Sequence, residues 1–134
     1  MRLELTRRGD YAVRAMVDLA RLPSEWETGG AIAARTDIPS RFVTQVMGDL
    51  VRGGLVEARI GRTGGYRLSH APAEITVLAL VEAVEGDSRR RRCVLRRGAC
   101  RSESPCQVHD IFADAQEALI GHLAATSLAS AAGV

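Results

Sequence analysis

Two helical segments joined by a tight turn constrain the fold of this chain more than any other feature. The first segment covers residues 31–36 and the second covers residues 40–52, with the sequence DIP between them. Apolar side chains recur in the second segment at helical spacing, at Phe42, Val43, Val46, Met47 and Leu50. Gly53 follows directly, as glycine commonly does at the end of a helix. Two short helices in this arrangement, the second amphipathic, predict a helix-turn-helix.

A β-hairpin is predicted immediately after the second of these helices. Residues 55–60 are strand-like, the sequence GRTGG at residues 61–65 is typical of a tight turn, and residues 66–68 return as a second strand. A hairpin in this position is the wing of a winged helix-turn-helix. Residues 6–22, ahead of this unit, also show apolar side chains at helical spacing and are predicted to form the first helix.

The rest of the chain is predicted to be helical apart from a loop that contains every cysteine. Residues 75–85 form a linker helix, and the region of the cysteine loop, 87–108, leads into a long terminal helix that ends near residue 129. We therefore expect a mainly α fold with a small β-hairpin. We divide it into a winged helix-turn-helix DNA-binding domain at residues 1–70 and a C-terminal region at residues 71–134.

The composition predicts a cytoplasmic protein with no membrane contact. No apolar run approaches the roughly 18 residues that a membrane span needs, and the N-terminal sequence MRLELTRRGDY lacks the apolar stretch of a secretory signal. The three cysteines, all within residues 93–106, do not fit the even count of a disulfide framework. Clustered thiols in a reducing compartment are better explained as metal or redox ligands.

Catalysis is not predicted. An enzyme needs a convergent set of nucleophile, base or substrate-binding groups. The sequence contains no glycine-rich phosphate loop, no nucleophile elbow and no paired carboxylates. Positive charge is instead concentrated in the first half, where residues 1–70 carry eleven arginines against eight acidic residues, a net charge of +3. Lysine is absent, so every fixed positive charge is a guanidinium, which suits bidentate contacts with phosphate or guanine.

The outward positions near the start of residues 40–52, the second helix of the helix-turn-helix, are the candidates for contacting bases in a major groove. They are Ser40, Arg41, Thr44 and Gln45. Arginine suits guanine, glutamine suits adenine, and hydroxyl groups suit phosphates or either base. On the wing, Arg59 and Arg62 are placed to enter a minor groove or to hold phosphates, with Arg67 on the return strand. The alternative is that these side chains only solvate an exposed face.

Three segments carry a resemblance to a known family: GDYAVRAMVDLA, IAARTDIPSRFVTQVMGDLVRGGLVEARIGRTGGYRL and ITVLALVEAVEG. They resemble the IscR/NsrR-type (Rrf-type) bacterial transcriptional regulators, and the likeness extends from residue 3 to about residue 129. The resemblance implies a homodimer built on the long C-terminal helix, which binds a roughly palindromic operator in double-stranded DNA. It also implies an iron–sulfur cluster in members that keep three cysteines between the last two helices.

This chain keeps those cysteines as Cys93, Cys100 and Cys106, followed by His109. Thiolates are the usual ligands of iron–sulfur clusters, and a fourth group must complete the site. His109 matches the histidine that completes a [2Fe–2S] site in IscR-like members, and it is the preferred ligand. Asp10 matches the acidic residue that completes a [4Fe–4S] site, from the opposite subunit, in an NsrR-like member.

The resemblance implies a regulator that senses redox state, nitric oxide or iron–sulfur status. Three alternatives remain open at this point. A structural zinc ion accepts three cysteines and one histidine, although close C-x2-4-C pairs are absent from the sequence. A thiol redox switch without a cluster is the second alternative. The third is an iron–sulfur carrier on a winged-helix scaffold, which would have no use for Arg41 or the wing arginines.

Overall fold

The computed structural model describes residues 1–89, 94–95 and 105–134. Within them the chain forms six α-helices and one two-stranded antiparallel sheet, which confirms the predicted mainly α fold with a small hairpin. The helices are α1 (Arg7–Ala20), α2 (Gly29–Thr36), α3 (Ser40–Arg52), α4 (Val77–Glu85), α5 (His109–Ala125) and α6 (Leu128–Ala132), and the strands are β1 (Val56–Arg59) and β2 (Gly65–Leu68).

Threonine side chains determine where three of the helices begin. Thr6, Thr28 and Thr76 precede α1, α2 and α4, and each hydroxyl accepts a hydrogen bond of 3.0–3.1 Å from the backbone N–H three residues ahead. Such a cap satisfies one of the backbone donors that the first turn of a helix leaves unpaired. The three helices therefore begin within two residues of the predicted positions.

The helix-turn-helix is formed by α2 and α3 and is held against α1. Asp37 links the two helices in the left-handed conformation, with φ of 57° and ψ of 34°, which aspartate adopts more readily than most residues. The buried face of α3 presents Val43, Val46, Met47 and Leu50 to the core. Phe42, predicted as part of this stripe, is only half-buried, because it lies at the edge of α3 beside the ring of Tyr11.

The hairpin pairs Val56 with Leu68 on the core side, and a third backbone segment joins its edge. The segment between α1 and α2 is a polar loop, yet its residue Glu27 pairs with Tyr66 as an isolated bridge. The Glu27 N–H donates to the Tyr66 carbonyl at 2.9 Å, and the Tyr66 N–H donates to the Glu27 carbonyl at 2.8 Å. The loop between α1 and α2 is thus attached to the wing.

The predicted terminal helix is interrupted. It ends at Ala125 and gives way to extended backbone at Thr126 before the short helix α6. The Thr126 carbonyl accepts a hydrogen bond from Val77 N–H at 2.9 Å, and Leu128 N–H donates to the Ile75 carbonyl at 2.7 Å. Leu128 is fully buried in the same hydrophobic cluster as α1, α3 and α4. Burial of Leu128 and pairing with the segment before α4 therefore outweigh continuation of the helix.

A partly buried ion pair joins α2 to α1 and to the loop that carries Glu27. Arg35 donates to both carboxylate oxygens of Asp18, with Nε–Oδ1 and Nη2–Oδ2 distances of 2.9 Å, and to Glu27 Oε2 at 2.9 Å. Hydrogen bonding to Asp18 raises the pKa of Arg35, so the guanidinium stays charged. The side chain of Asp18 is only 12% exposed, which makes the loss of its partner unfavourable.

Arg35→Ala is expected to lower the free energy of unfolding by about 1.5 kcal/mol, because it leaves the Asp18 carboxylate poorly solvated and unpaired. This value is below the range for a fully buried ion pair because Arg35 is partly exposed. Urea unfolding followed by circular dichroism measures the change. Arg2→Ala is the matched control, because the Arg2–Glu4 pair is exposed and should contribute less than about 0.5 kcal/mol. Equal stability of the two variants would contradict this account of the Arg35 cluster.

Candidate nucleic-acid interface and cysteine loop

The four residues predicted to contact bases lie together at the start of α3. Ser40 is the first residue of the helix, and the side chains of this group are all exposed: Ser40, Arg41, Thr44 and Gln45. These side chains face solvent because the opposite face of α3 is buried in the core. Arg41, Thr44 and Gln45 also line, with Phe42, an open depression of about 530 Å³. The structure thus brings this predicted set onto one solvent-facing surface.

The guanidinium of Arg41 packs over an aromatic ring of its own helix. Its guanidinium carbon lies 4.8 Å from the centroid of the Phe42 ring. The Phe42 ring in turn lies 5.5 Å from that of Tyr11 on α1, at an interplanar angle of 42°. Stacking of this kind covers a face of the guanidinium and leaves its in-plane N–H groups available. Arg41 is therefore placed as a hydrogen-bond donor at the surface of α3.

The wing arginines differ in their surroundings. Arg62 lies in the exposed turn between β1 and β2. Arg59 is folded against the hairpin, where its guanidinium contacts the indole of Trp26 at 4.2 Å and donates to the Thr63 carbonyl. Arg67 contacts the same indole at 4.4 Å. The sequence interpretation did not single out Trp26; a lone tryptophan in a polar loop was the available signal.

The cysteine loop is described only at its two ends and at residues 94–95. Cys93 and Cys100, both predicted metal ligands, lie outside the described residues. Cys106 is half-buried, and its carbonyl accepts a hydrogen bond of 3.1 Å from the backbone N–H of His109, the first residue of α5. One turn of chain therefore links a thiol and an imidazole, two side chains of the types that ligate iron–sulfur clusters. Their chemistry fits the implied cluster.

The carboxylate of Asp10, the alternative ligand, forms an ion pair with Arg14 on the same helix. Its carboxylate accepts hydrogen bonds from Arg14, with an Arg14 Nε–Asp10 Oδ1 distance of 3.1 Å. This contact raises the pKa of Arg14. Within the described part of the chain, no three histidine, cysteine, aspartate or glutamate side chains come together in a way that could hold a metal ion. Asp10 would have to leave Arg14 to serve as a ligand.

The two ends of the loop are held between α4 and α5. At the first end, Ser88 N–H donates to Glu82 Oε1 of α4 at 3.0 Å, and the Ser88 carbonyl accepts from Gln116 Nε2 of α5 at 2.6 Å. Arg89 also pairs with Glu117 of α5 at 3.4 Å. At the second end, His109 begins α5 directly. The loop is therefore anchored on α4, which packs against α1 and α3, and on α5, which packs against α4.

Comparison with known proteins assigns this architecture. The sequence profile of the Rrf2 family, described as iron-dependent transcriptional regulators, matches residues 5–133. The chain belongs to the Rrf2 family. It is 33% identical over 127 residues to the HTH-type transcriptional regulator IscR of Photorhabdus laumondii, which covers 94% of this chain and 77% of that protein. The resemblance identified in the sequence is thereby confirmed.

Solved Rrf2-type structures confirm the winged-helix fold. CymR of B. subtilis, described as the global cysteine regulator of that organism, superposes with a TM-score of 0.82 at 22% identity and covers 98% of each chain. IscR of T. potens superposes with a TM-score of 0.75 at 22% identity, over 96% of this chain and 85% of that one.

Membership of the Rrf2 family also bears on activity. Its relatives are named as transcriptional regulators, which confirms the prediction that the chain is not an enzyme and supports DNA as its partner. Within the described residues, no helix combines the length and the apolar character needed to cross a membrane. The exposed surface at the start of α3 is the candidate DNA-binding site of this Rrf2 regulator.

Proposed function

We propose that this Rrf2 regulator binds a roughly palindromic operator as a homodimer and that an iron–sulfur cluster on the cysteine loop controls the binding. The observation that carries the proposal is the pairing of two features in one chain. An exposed polar surface at the start of α3 is set for DNA contact, and a three-cysteine loop joins the helix packed behind that surface to α5. Each feature alone fits several functions, whereas together they fit a regulated DNA-binding protein.

DNA recognition is assigned to α3 and the wing. Arg41 and Gln45 suit guanine and adenine in the major groove, and Ser40 and Thr44 suit phosphates or base edges. Arg62, exposed in the turn of the wing, suits the phosphate backbone or the minor groove. The net charge of +3 over residues 1–70 favours approach to DNA. We accordingly retain residues 1–70 as the proposed DNA-binding domain and residues 71–134 as the proposed sensing and dimerisation region.

Homodimer formation is assigned to α5. Its residues Ile111, Ala115 and Leu119 recur at helical spacing, and Ile111 is 66% exposed in the single chain. Ile120 is the one residue of α5 that is buried among the described residues. An apolar stripe of this kind on a 17-residue helix is stabilised when a second copy covers it. A dimer would place two α3 helices against successive half-sites, which recur at about 34–36 Å on DNA.

Cluster binding is assigned to Cys93, Cys100 and Cys106, with His109 as the fourth ligand and [2Fe–2S] as the favoured cluster. A [4Fe–4S] cluster completed by Asp10 of the second subunit is the alternative. When bound, the cluster supplies sensitivity to redox state, nitric oxide or iron–sulfur status. The described ends of the loop are held between α4 and α5, so a cluster bound there would bias the spacing of the two DNA-binding surfaces. Ligand binding shifts that equilibrium only by its differential affinity for the two dimer geometries.

Anaerobic purification with an optical spectrum and iron and sulfide counts tests the cluster assignment. We expect a charge-transfer spectrum in the visible region with about two iron and two sulfide per chain, whereas about four of each would indicate the Asp10 alternative. Stoichiometric zinc without sulfide would replace the proposal with a structural zinc site. If the protein stays free of metal after anaerobic reconstitution, a thiol redox switch would be the remaining interpretation of the three cysteines. If the protein carries a cluster but selection from random DNA yields no duplex that it binds, it would be an iron–sulfur carrier.

Arg62→Ala is expected to weaken binding to all duplexes alike, because the turn of the wing contacts phosphates and not base edges. The slope of log affinity against log salt should fall by about one unit. Fluorescence anisotropy with a selected duplex and a scrambled duplex, over a salt series, measures both quantities. Loss of affinity for the selected duplex alone, at an unchanged slope, would assign Arg62 to base recognition instead.

A further inference from the structure

Trp26, the single tryptophan of the chain, contacts two arginines of the wing. The guanidinium carbons of Arg59 and Arg67 lie 4.2 and 4.4 Å from the centroid of its indole. The two arginines extend from the same face of the hairpin. The register pairs Glu57 with Arg67 and Arg59 with Gly65, whereas the alternate pairs, such as Val56 with Leu68, belong to the core side. Trp26 therefore covers the outer face of the wing.

The position of Trp26 is fixed by the backbone next to it. Glu27 pairs with Tyr66 through two hydrogen bonds, so residue 26 is held at the edge of β2. This approach requires glycine at position 65, where φ is +139° and a Cβ atom would lie 2.3 Å from the Glu27 carbonyl oxygen. The carboxylate of Glu27 is also bound by Arg35 at 2.9 Å. Trp26 thus belongs to a fixed support rather than to a free loop.

The two arginines are not equivalent in their remaining contacts. Arg67 forms an ion pair of 2.9 Å with Glu57 across the hairpin. Arg59 donates to the Thr63 carbonyl and, among the described residues, has no acidic side chain within ion-pair distance. A guanidinium has five N–H donors in its plane, and a stacked ring covers only its face. Among the described residues Arg59 therefore has no ion-pair partner, and it has N–H donors beyond the one bonded to the Thr63 carbonyl.

We propose that Trp26 is a positioning residue for DNA binding, which orients the Arg59 guanidinium so that its in-plane donors reach the phosphate backbone beside the wing. The inference rests on the proposed DNA-binding function of the wing. An unsupported arginine loses side-chain entropy when it binds a phosphate, whereas an arginine already stacked on an aromatic ring has lost part of that freedom beforehand. Arg67, paired with Glu57, also contacts the indole and helps to hold the ring in place.

A double-mutant cycle between Trp26 and Arg59 tests the coupling. Affinities for a selected and a scrambled duplex are measured by fluorescence anisotropy across a salt series, for wild type, Trp26→Ala, Arg59→Ala and the double variant. Trp26→Ala should weaken binding to both duplexes by about two- to fivefold, the equivalent of an exposed cation–π contact. Arg59→Ala should lower the salt slope by about one unit. The double variant should bind as Arg59→Ala alone does, within about twofold, the reproducibility expected for a cycle.

Two controls separate positioning from a general loss of structure. Trp26→Phe keeps an aromatic face and should restore most of the affinity, and thermal melting of each variant reports on the fold. Arg62→Ala does not touch the indole, so its effect should multiply with that of Trp26→Ala. If Trp26→Ala and Arg59→Ala multiply independently, or if Trp26→Phe is as weak as Trp26→Ala, the positioning role is wrong. Wild-type protein that binds neither duplex would instead remove the proposed function.

Discussion

Replacing Cys106 with alanine is expected to abolish cluster binding and to change operator affinity, while leaving a folded dimer. The same result is expected for Cys93 and Cys100, because an iron–sulfur cluster needs all of its thiolate ligands. Cys106 is only half-buried, so its replacement leaves no sizeable cavity in the core. Allosteric coupling between two sites typically changes affinity by about five- to 150-fold, and we expect a change in this range. Iron and sulfide counts, followed by anaerobic binding to a selected duplex, measure both effects.

His109 and Asp10 provide the matched comparison for the fourth ligand. His109→Ala should leave a labile or spectrally altered cluster, whereas Asp10→Ala should have less effect on the spectrum. The Asp10–Arg14 pair is exposed, and surface ion pairs contribute little to stability, so the Asp10 variant remains folded. The reverse ranking would favour a [4Fe–4S] cluster ligated across the dimer. Full cluster content in the cysteine variants would contradict the assignment of the loop as the cluster site.

Arg41→Ala is expected to weaken operator binding by about 1–3 kcal/mol and to relax specificity at one base position. Arg41 lies in the first turn of α3, its side chain is exposed, and its guanidinium carbon lies 4.8 Å from the centroid of the Phe42 ring. A bidentate contact with guanine from this position carries sequence information, unlike a phosphate contact. Binding to a set of duplexes with single base changes in each half-site measures the effect.

Arg52 is the control for this prediction, because it lies on the same helix at its C-terminal end. Its side chain is exposed and pairs with Asp49, which is also paired with Arg8. Arg52→Ala therefore removes a positive charge from α3 and leaves Asp49 with a partner. We expect it to alter affinity equally for all duplexes and to leave base preference unchanged. Unchanged affinity and base preference for Arg41→Ala would exclude Arg41 from the recognition surface.

The sequence predicted best those features that depend on local chemistry. The bounds of α3 are the predicted ones, because Pro39 precedes the helix and Gly53 ends it, and both residues act on the backbone beside them. The face of α3 that carries Arg41 and Gln45 followed from its apolar spacing, since the buried stripe defines the exposed side. These predictions needed no knowledge of distant contacts.

Features that depend on long-range pairing were not predicted. The break at Thr126 involves hydrogen bonds to Ile75 and Val77, about fifty residues earlier in the chain. A local signal is also present, because the Ser127 hydroxyl caps α6 by accepting a hydrogen bond from Ser130 N–H. Glu27 likewise joins the hairpin through Tyr66. The wing arginines were predicted as equivalent, whereas in the structure the guanidinium of Arg59 packs on Trp26 and Arg62 lies in the turn of the hairpin. Composition and spacing cannot show which loop reaches the wing.

Control of DNA binding by the state of the cysteine loop can be measured on a single preparation. Its most direct test compares the operator affinity of anaerobically reconstituted protein with that of the same preparation after chelation of its iron, using one selected duplex at one salt concentration. We expect affinities that differ by at least about fivefold, the lower end of typical allosteric coupling. Equal affinities of two folded, dimeric preparations would contradict it, and would leave a DNA-binding Rrf2 protein whose cysteine loop has only a structural role.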